Sequence, residues 1–137
     1  MSVASAYNGI ANVYNRQGHY ERALEYYQKT LDIQIQVVGH DHIDVARTYG
    51  NMGNVYKRQG HYEIALEYHQ KSLDITIKVV GHDHRSVAMS YGNMGYVYRR
   101  LEKAEVAQEM FTKAYSIFLK VLGPDQLHTQ QVKSEVD

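Results

Sequence analysis

The chain has 137 residues, with 15 basic and 15 acidic side chains, no cysteine and one proline, so it is about the size of one ordinary domain and carries no net charge. This composition excludes disulfides, thiolate zinc sites and cysteine nucleophiles, and it gives no global basic field of the kind that drives nucleic-acid binding. No apolar run approaches the roughly 18 residues that a membrane span requires, and no signal-peptide pattern is present. We therefore expect a soluble, cytoplasmic, ordered helical protein.

An internal repeat organises the chain. The segment YNGIANVY at Tyr7 returns as YGNMGNVY at Tyr49 and as YGNMGYVY at Tyr91, which gives a period of 42 residues. About two thirds of the aligned positions are identical between the first two copies. We predict a single domain over 1–137, with repeats at about 4–42, 43–84 and 85–124 and a cap or truncated fourth repeat at 125–137.

Each copy begins with the pattern of an amphipathic helix. In the first copy, Tyr7, Ile10, Ala11 and Tyr14 have the i, i+3, i+4, i+7 spacing of a helix with one buried stripe. Gly18 follows as a helix stop. The sequence therefore predicts a first helix that buries this stripe and ends before Gly18.

A second helix follows in each copy. Its end, LDIQIQVV in the first copy, also alternates apolar and polar residues as a strand does. A helix is favoured because the alternation starts without a turn signal, inside a longer helical pattern. In the third copy Glu102 replaces the glycine stop, and QLHTQQVKSEV after Pro124 predicts one more short helix.

Two histidine-rich loops join the repeats, GHDH at 39–42 and again at 81–84. His42 and His84 are candidate N-caps of the helices that follow, as are Asp44 and Ser86. Two imidazoles and a carboxylate could also bind Zn²⁺ or Ni²⁺. Because capping is ordinary for such loops, we expect a structural role and no metal site.

Two glycines and one histidine stand inside the helical patterns. Gly53 and Gly95 are expected to face Ala65 and Ala107 and to let two helices approach closely, and His69 is expected at the edge of the core. No phosphate loop, nucleophile elbow, HExxH motif or catalytic carboxylate pair occurs. The sequence therefore predicts no enzymatic activity and no cofactor.

A family resemblance joins these features. Repeat one carries a small residue and a tyrosine in its first helix and then a glycine, two tyrosines and an alanine; these are Ala11, Tyr14, Gly18, Tyr20, Ala23 and Tyr27. The pattern resembles the tetratricopeptide repeat, and the long period is similar to repeats of kinesin light chains, nephrocystin-type proteins and the LGN/AGS family. The resemblance implies an all-α fold, a right-handed α-solenoid of three helix-turn-helix repeats plus a C-terminal helical segment. It also implies that the first helices line a concave face.

The first helices carry the candidate binding residues. Over 4–17, 43–59 and 85–101 they hold seven basic residues and one acid, so the zero net charge conceals a basic layer and an acidic remainder. Arginine forks suit carboxylates, and asparagines can hold the main chain of an extended peptide. We therefore expect a peptide partner with acidic residues. The candidate peptide-binding residues are Asn8, Asn12, Arg16, Arg47, Asn51, Asn54, Arg58, Asn93, Tyr96 and Arg100.

Two alternatives qualify this prediction. In related repeats, a clamp for chaperone C-terminal tails uses two asparagines with basic residues. Asn12 and Asn54 match that clamp, but Asn8, Gly92 and Tyr96 stand where its basic residues would be, so a more general acidic peptide is favoured. The other hypothesis is self-association, by end-to-end stacking or domain swapping, because the first copy begins almost directly with its buried stripe. The chain could also be an excised or engineered piece of a longer array.

Overall fold

Seven α-helices and no strand are present in residues 2–137, the part of the chain that this computed structural model describes. Residues 31–38 lie inside the second helix, so the strand alternative for that segment is wrong. Within residues 2–137, none of the helices combines the length and the apolar character needed to cross a membrane. The helices are α1 Val3–Arg16, α2 Tyr20–Val38, α3 Ile43–Arg58, α4 Tyr62–Val80, α5 Arg85–Arg100, α6 Ala104–Leu122 and α7 Leu127–Val136.

The chain divides into two compact units, the first ending at Ile75 and the second beginning at Thr76. Each unit has an apolar core built from facing helices. The single domain over 1–137 and its repeat boundaries stay a prediction. The first core contains Ala11, Ala23, Tyr27, Leu31, Val45, Met52 and Val55, and the second contains Ala88, Ala107, Phe111, Ala114, Phe118 and Val132.

Each first helix ends in the same hydrogen-bonded turn. After α1, the amide of Gly18 donates to the carbonyl of Asn15 (3.1 Å) and the amide of His19 donates to that of Tyr14 (2.9 Å). This is the Schellman motif, which needs a positive φ at the residue after the C-cap, and Gly18, which follows the C-cap Gln17, has φ 81°. In the third copy the backbone is the same although Glu102 occupies this position, with φ 61°. The fold therefore holds a glutamate in a conformation that favours glycine.

Histidines cap two of the helices. Nδ1 of His42 accepts from the amide of Asp44 at 3.0 Å, and Nδ1 of His84 accepts from the amide of Ser86 at 3.1 Å. The histidines are therefore the N-caps, and the alternative candidates Asp44 and Ser86 lie inside the helices and supply the capped amides. In residues 2–137, no three side chains of the His, Cys, Asp or Glu type cluster as a metal site requires.

The interior glycines lie against rings: the atoms nearest to a Cβ built on Gly53 or Gly95 belong to a ring and not to Ala65 or Ala107. A Cβ on Gly53 would lie 2.9 Å from Nε2 of His69, and a Cβ on Gly95 would lie 2.8 Å from Cε1 of Phe111. His69 is fully buried in the first unit and is not at the edge of the core. Glycine is needed at both positions because an aromatic ring occupies the space of its missing side chain.

One predicted buried position on α1 is exposed. The only residue of α1 that is fully buried is Ala11, while Ile10 of the predicted stripe lies at the surface. The equivalent of Ile10 in α3, Met52, is buried in the core that α2 and α3 share. Helix α2 packs against the side of α3 that carries Met52, whereas none of the described residues covers the equivalent side of α1.

Candidate functional site

A polar cavity lies in the first unit, lined by residues of α1, α2 and α3. Its volume is about 300 Å³. Four carboxamides, two cations and one phenol form its wall, and among residues 2–137 no carboxylate lines it. We call it the amide cavity; its residues are Asn12, Asn15, Tyr27, Asn51, Asn54, Lys57 and Arg58.

Two hydrogen bonds order the side chains of the amide cavity. The hydroxyl of Tyr27, which reaches across from α2, donates to Oδ1 of Asn12. Nη1 of Arg58 donates to Oδ1 of Asn15 at 3.4 Å, which joins α3 to α1. Because Asn12 accepts through its oxygen, its NH₂ group is the part left to donate to another molecule.

Two buried groups of the first unit, Tyr27 and His69, have shifted pKa values to which cationic side chains contribute. Burial raises the pKa of Tyr27, and the charges of Arg58 and Arg16 act in the opposite direction. Burial lowers the pKa of His69 to about 4, and the charge of Lys57 adds to this effect. In both groups burial is the larger cause of the pKa shift, and the nearby cations act in the direction expected of positive charge.

A second cavity of the first unit, of about 320 Å³, holds two other predicted residues, Asn8 and Arg47. Arg47 forms an ion pair with Asp44, with Nη1 3.3 Å from Oδ1, and the carboxylate offsets part of its charge. Asn51 lines both cavities. We call this the N-terminal cavity; its other residues are Ser2, Ala4, Ser5, Ile33, Gln34, Val37, Val38, Asp44 and Thr48.

In the second unit, α7 brings a carboxylate to the predicted face of α5. Nη2 of Arg99 lies 2.5 Å from Oε2 of Glu135, and the hydroxyl of Tyr96 donates to Oε1 of Glu135 at 3.4 Å. Burial raises the pKa of Tyr96, Glu135 raises it further, and Arg99 opposes both. The guanidinium also lies over the ring of Phe111, 4.8 Å from its centre. A carboxylate is therefore held here by an arginine and a phenol together.

The predicted residues fall into separate groups. Asn12, Asn51, Asn54 and Arg58 meet in the amide cavity. Arg16 is exposed and lines neither cavity.

In the second unit, Asn93 is half-buried and Arg100 is exposed. The predicted set lacks three cavity residues: Asn15 and Lys57, which lie on first helices, and Tyr27, which lies on a second helix. The period aligns Tyr27 with His69 and Phe111, which identifies a core position but gives no sign that its hydroxyl would reach an asparagine of α1.

The family of the chain follows from its sequence as well as its helices. A family profile for the tetratricopeptide repeat matches residues 2–78 and again residues 51–120. The two matches together cover most of the chain, and the chain belongs to the tetratricopeptide repeat family. Members of this family generally mediate protein–protein interactions and are generally not enzymes. No curated protein matches the chain significantly.

Solved structures share the fold. BtubC (BKLC) from P. vanneervenii superposes with a TM-score of 0.88 at 23% identity, over 98% of this chain and 54% of that one. A kinesin light chain-like protein of Podosopora anserina with nearly identical TPR-like repeats gives 0.83 at 19% identity, over 99% of this chain and 66% of that one. The N-terminal domain of stress-induced protein-1 from C. elegans gives 0.70 at 18%, over 98% and 94%. The fold class is therefore an all-α helical-repeat solenoid, and this chain spans less than two thirds of the first two proteins.

Proposed function

We propose that the chain is a non-catalytic protein-interaction module that binds an extended peptide carrying an acidic side chain in the amide cavity. The observation that carries the proposal is the composition of the cavity wall, in which four carboxamides stand beside Lys57 and Arg58 without a carboxylate among residues 2–137. A cytoplasmic location goes with this proposal.

The two kinds of side chain have different tasks. The carboxamides of Asn51 and Asn54 each offer a donor and an acceptor, which can pair with a peptide main chain and fix its register whatever its side chains are. The guanidinium of Arg58 donates to a carboxylate, and a charged hydrogen bond is stronger than a neutral one. The cavity would therefore select for an acidic residue next to an extended main chain.

The contact in the second unit supports this chemistry. Glu135 is held by Arg99 and Tyr96, which stand 42 positions after Lys57 and Asn54 of the amide cavity. The cationic end of a first helix thus receives a carboxylate within this chain. In the amide cavity, the Arg58 guanidinium donates a hydrogen bond to a neutral amide oxygen, so we expect Arg58 to accept a carboxylate from another molecule in the same way.

Peptide binding tests the proposal. Peptides with acidic, neutral and basic side chains are measured by fluorescence anisotropy against the native chain and against a triple variant with Arg16, Arg58 and Arg100 replaced by Glu. Acidic peptides should bind the native chain, and the triple variant should lose at least about tenfold in affinity because charged hydrogen bonds contribute roughly 1.5–3 kcal/mol each.

A matched control separates the cavity from overall charge. Replacing Arg22, Arg85 and Lys103 by Glu changes the net charge equally at exposed positions outside both cavities. This variant should keep most of the affinity. Asn54→Ala should weaken binding to every bound peptide alike, because it removes a main-chain contact. Equal losses in the two triple variants, or preference for basic peptides, would show that the amide cavity is not the site.

A further inference from the structure

The outer face of α1 is an apolar surface of the kind that the next repeat buries. Val3, Ile10 and Val13 are 61%, 40% and 45% exposed. Their equivalents 42 positions later in α3, Val45, Met52 and Val55, are 0%, 2% and 0% exposed. The two helices thus present nearly the same side chains at the same spacing, and only one of them is covered.

The contact between α2 and α3 in the first unit shows what covers this surface. Leu31 of α2 lies in one core with Val45, Met52 and Val55 of α3, and Ile35 packs against that core. A hydrogen bond of 2.7 Å from Oγ1 of Thr48 to Oε1 of Gln34 sets the register of the two helices. By the same packing, the helix that would cover the outer face of α1 is the second helix of a repeat.

In the second unit, α6 is the second helix of a repeat, and the short helix α7 packs against it in the place of a first helix. Helix α7 buries only Thr129 and Val132, whereas α3 buries six residues. The hydroxyl of Thr129 is buried without a hydrogen-bond partner, at the position that α3 fills with Val45. Leu119 of α6, equivalent to Ile35, is 39% exposed. A buried hydroxyl without a hydrogen-bond partner destabilises the folded state, so α7 is a poorer partner for α6 than a first helix with an apolar residue at this position.

We propose that the outer face of α1 binds α6 of a second copy of this chain and displaces α7 from it. By the register of α2 and α3, Val3 of the incoming helix would take the position of Thr129. The exchange gives up the contacts of α7, which include the stacking of His128 on Phe118 and the ion pair of Glu135 with Arg99. In return it buries the three exposed side chains of α1 and covers Leu119.

This contact is head-to-tail, so it leaves a free α1 face at one end and a free α6 at the other. Such a heterologous interface grows into longer assemblies unless its rotation closes a ring. The proposal therefore predicts a mass, by sedimentation equilibrium, that starts near 15.8 kDa at low concentration and rises beyond twice that value as concentration increases.

Single substitutions test the two faces. Val13→Glu should weaken association at least tenfold because it places a charge in the interface, and Ile10→Lys should do the same. Ile64→Glu is the matched control, because Ile64 on α4 is 37% exposed, nearly as much as Ile10, and α4 takes no part in the proposed contact. Helicity by circular dichroism should stay native in all three. Equal association of the Val13 variant and native chain would overturn the proposal.

A mixing experiment tests the head-to-tail geometry. Leu119→Glu should block the α6 side and leave α1 intact, so it should fail to associate alone, as Val13→Glu does. Mixed together, the two variants retain one good α1 face and one good α6, and they should form a 1:1 dimer that grows no further. If one variant associates alone, the contact joins like faces, and if the mixture stays monomeric, α1 does not bind α6; either result contradicts the proposed geometry.

The competition with α7 has its own test. Thr129→Val removes the buried hydroxyl, should hold α7 more firmly on α6, and should therefore weaken association at least threefold. Val132→Glu should loosen α7 and strengthen association. If neither substitution changes the association constant, α7 is not displaced and the exchange is excluded.

Discussion

At the scale of single residues, His69 makes the first unit sensitive to acid. Its ring is fully buried, its Nε2 has no hydrogen-bond partner, and burial lowers its pKa from 6.5 to about 4. The neutral ring is therefore the folded form, while the unfolded chain binds a proton near pH 6.5. The contribution of the neutral His69 ring to the unfolding free energy is fully present above pH 6.5, and it is lost as the pH falls towards and through 4.

We expect His69→Phe to remove this pH dependence. Phe111 shows that a phenyl ring fits this position against a glycine, since it lies over Gly95 as His69 lies over Gly53. Between pH 7.5 and 4.5 the native chain should lose up to about 3 kcal/mol of unfolding free energy more than the variant. Urea denaturation at four pH values measures the difference, in which the seven other histidines cancel. Parallel pH profiles for the two proteins would contradict the assignment.

The repeat position that His69 occupies shows which features of a single residue could be predicted from the sequence. The 42-residue period aligns Tyr27, His69 and Phe111 and predicts that all three belong near the core. It does not predict that Tyr27 donates to Asn12 or that His69 fills the space beside Gly53. Those contacts depend on where the side chain of one helix ends on another, which the periodicity of a single helix does not contain.

At the scale of elements, the turn between α5 and α6 carries strain that its counterparts avoid. Glu102 has φ 61° in a turn where Gly18 and Gly60 have φ 81° and 83°. An L-residue in this region has its Cβ close to the carbonyl oxygen, which costs roughly 1 kcal/mol. The turn is still formed, because the two hydrogen bonds after Arg100 are the same as those after α1 and α3.

Glu102→Gly should therefore raise the unfolding free energy by about 1 kcal/mol through the relief of this strain. Part of that gain is offset because glycine gives the unfolded chain more conformational freedom. Gly60→Ala is the mirror control and should lower it by a similar amount, because it puts a Cβ at the same backbone conformation. Thermal denaturation followed by circular dichroism measures both. A destabilised glycine variant would mean that the glutamate side chain holds the turn.

The helices themselves were predicted well and their surroundings were not. The stop at Gly18, the caps at His42 and His84 and the short last helix all follow from local sequence, because caps and turns are made by neighbours in the chain. The exposure of Ile10 could not be predicted from its helix, since the pattern of α1 matches that of α3. Whether such a residue is buried depends on whether a neighbouring helix packs against it, and that depends on the arrangement of the repeats and not on the sequence of the helix itself.

At the scale of the whole molecule, zero net charge and a basic set of first helices coexist. Seven basic residues and one acid fall in the segments 4–17, 43–59 and 85–101, so the remainder of the chain has a surplus of acids. An acidic partner that reaches only the first helices is therefore expected to be attracted although the chain as a whole is neutral. The two proposed contacts consequently rest on different forces, charge for the peptide and apolar burial for the second copy.

Salt should separate these two contacts. Exposed charges are screened over about 10 Å at 0.1 M salt and about 3 Å at 1 M, so the affinity for an acidic peptide should fall roughly tenfold over that range. Self-association through Val3, Ile10 and Val13 should not weaken in NaCl, because salt screens the ion pair of Glu135 with Arg99 that must be broken, and it should be stronger in sulfate, which strengthens apolar burial. Anisotropy and sedimentation on the same samples give both constants. If both weaken together in NaCl, the association is electrostatic, and the apolar face of α1 is not what joins the molecules.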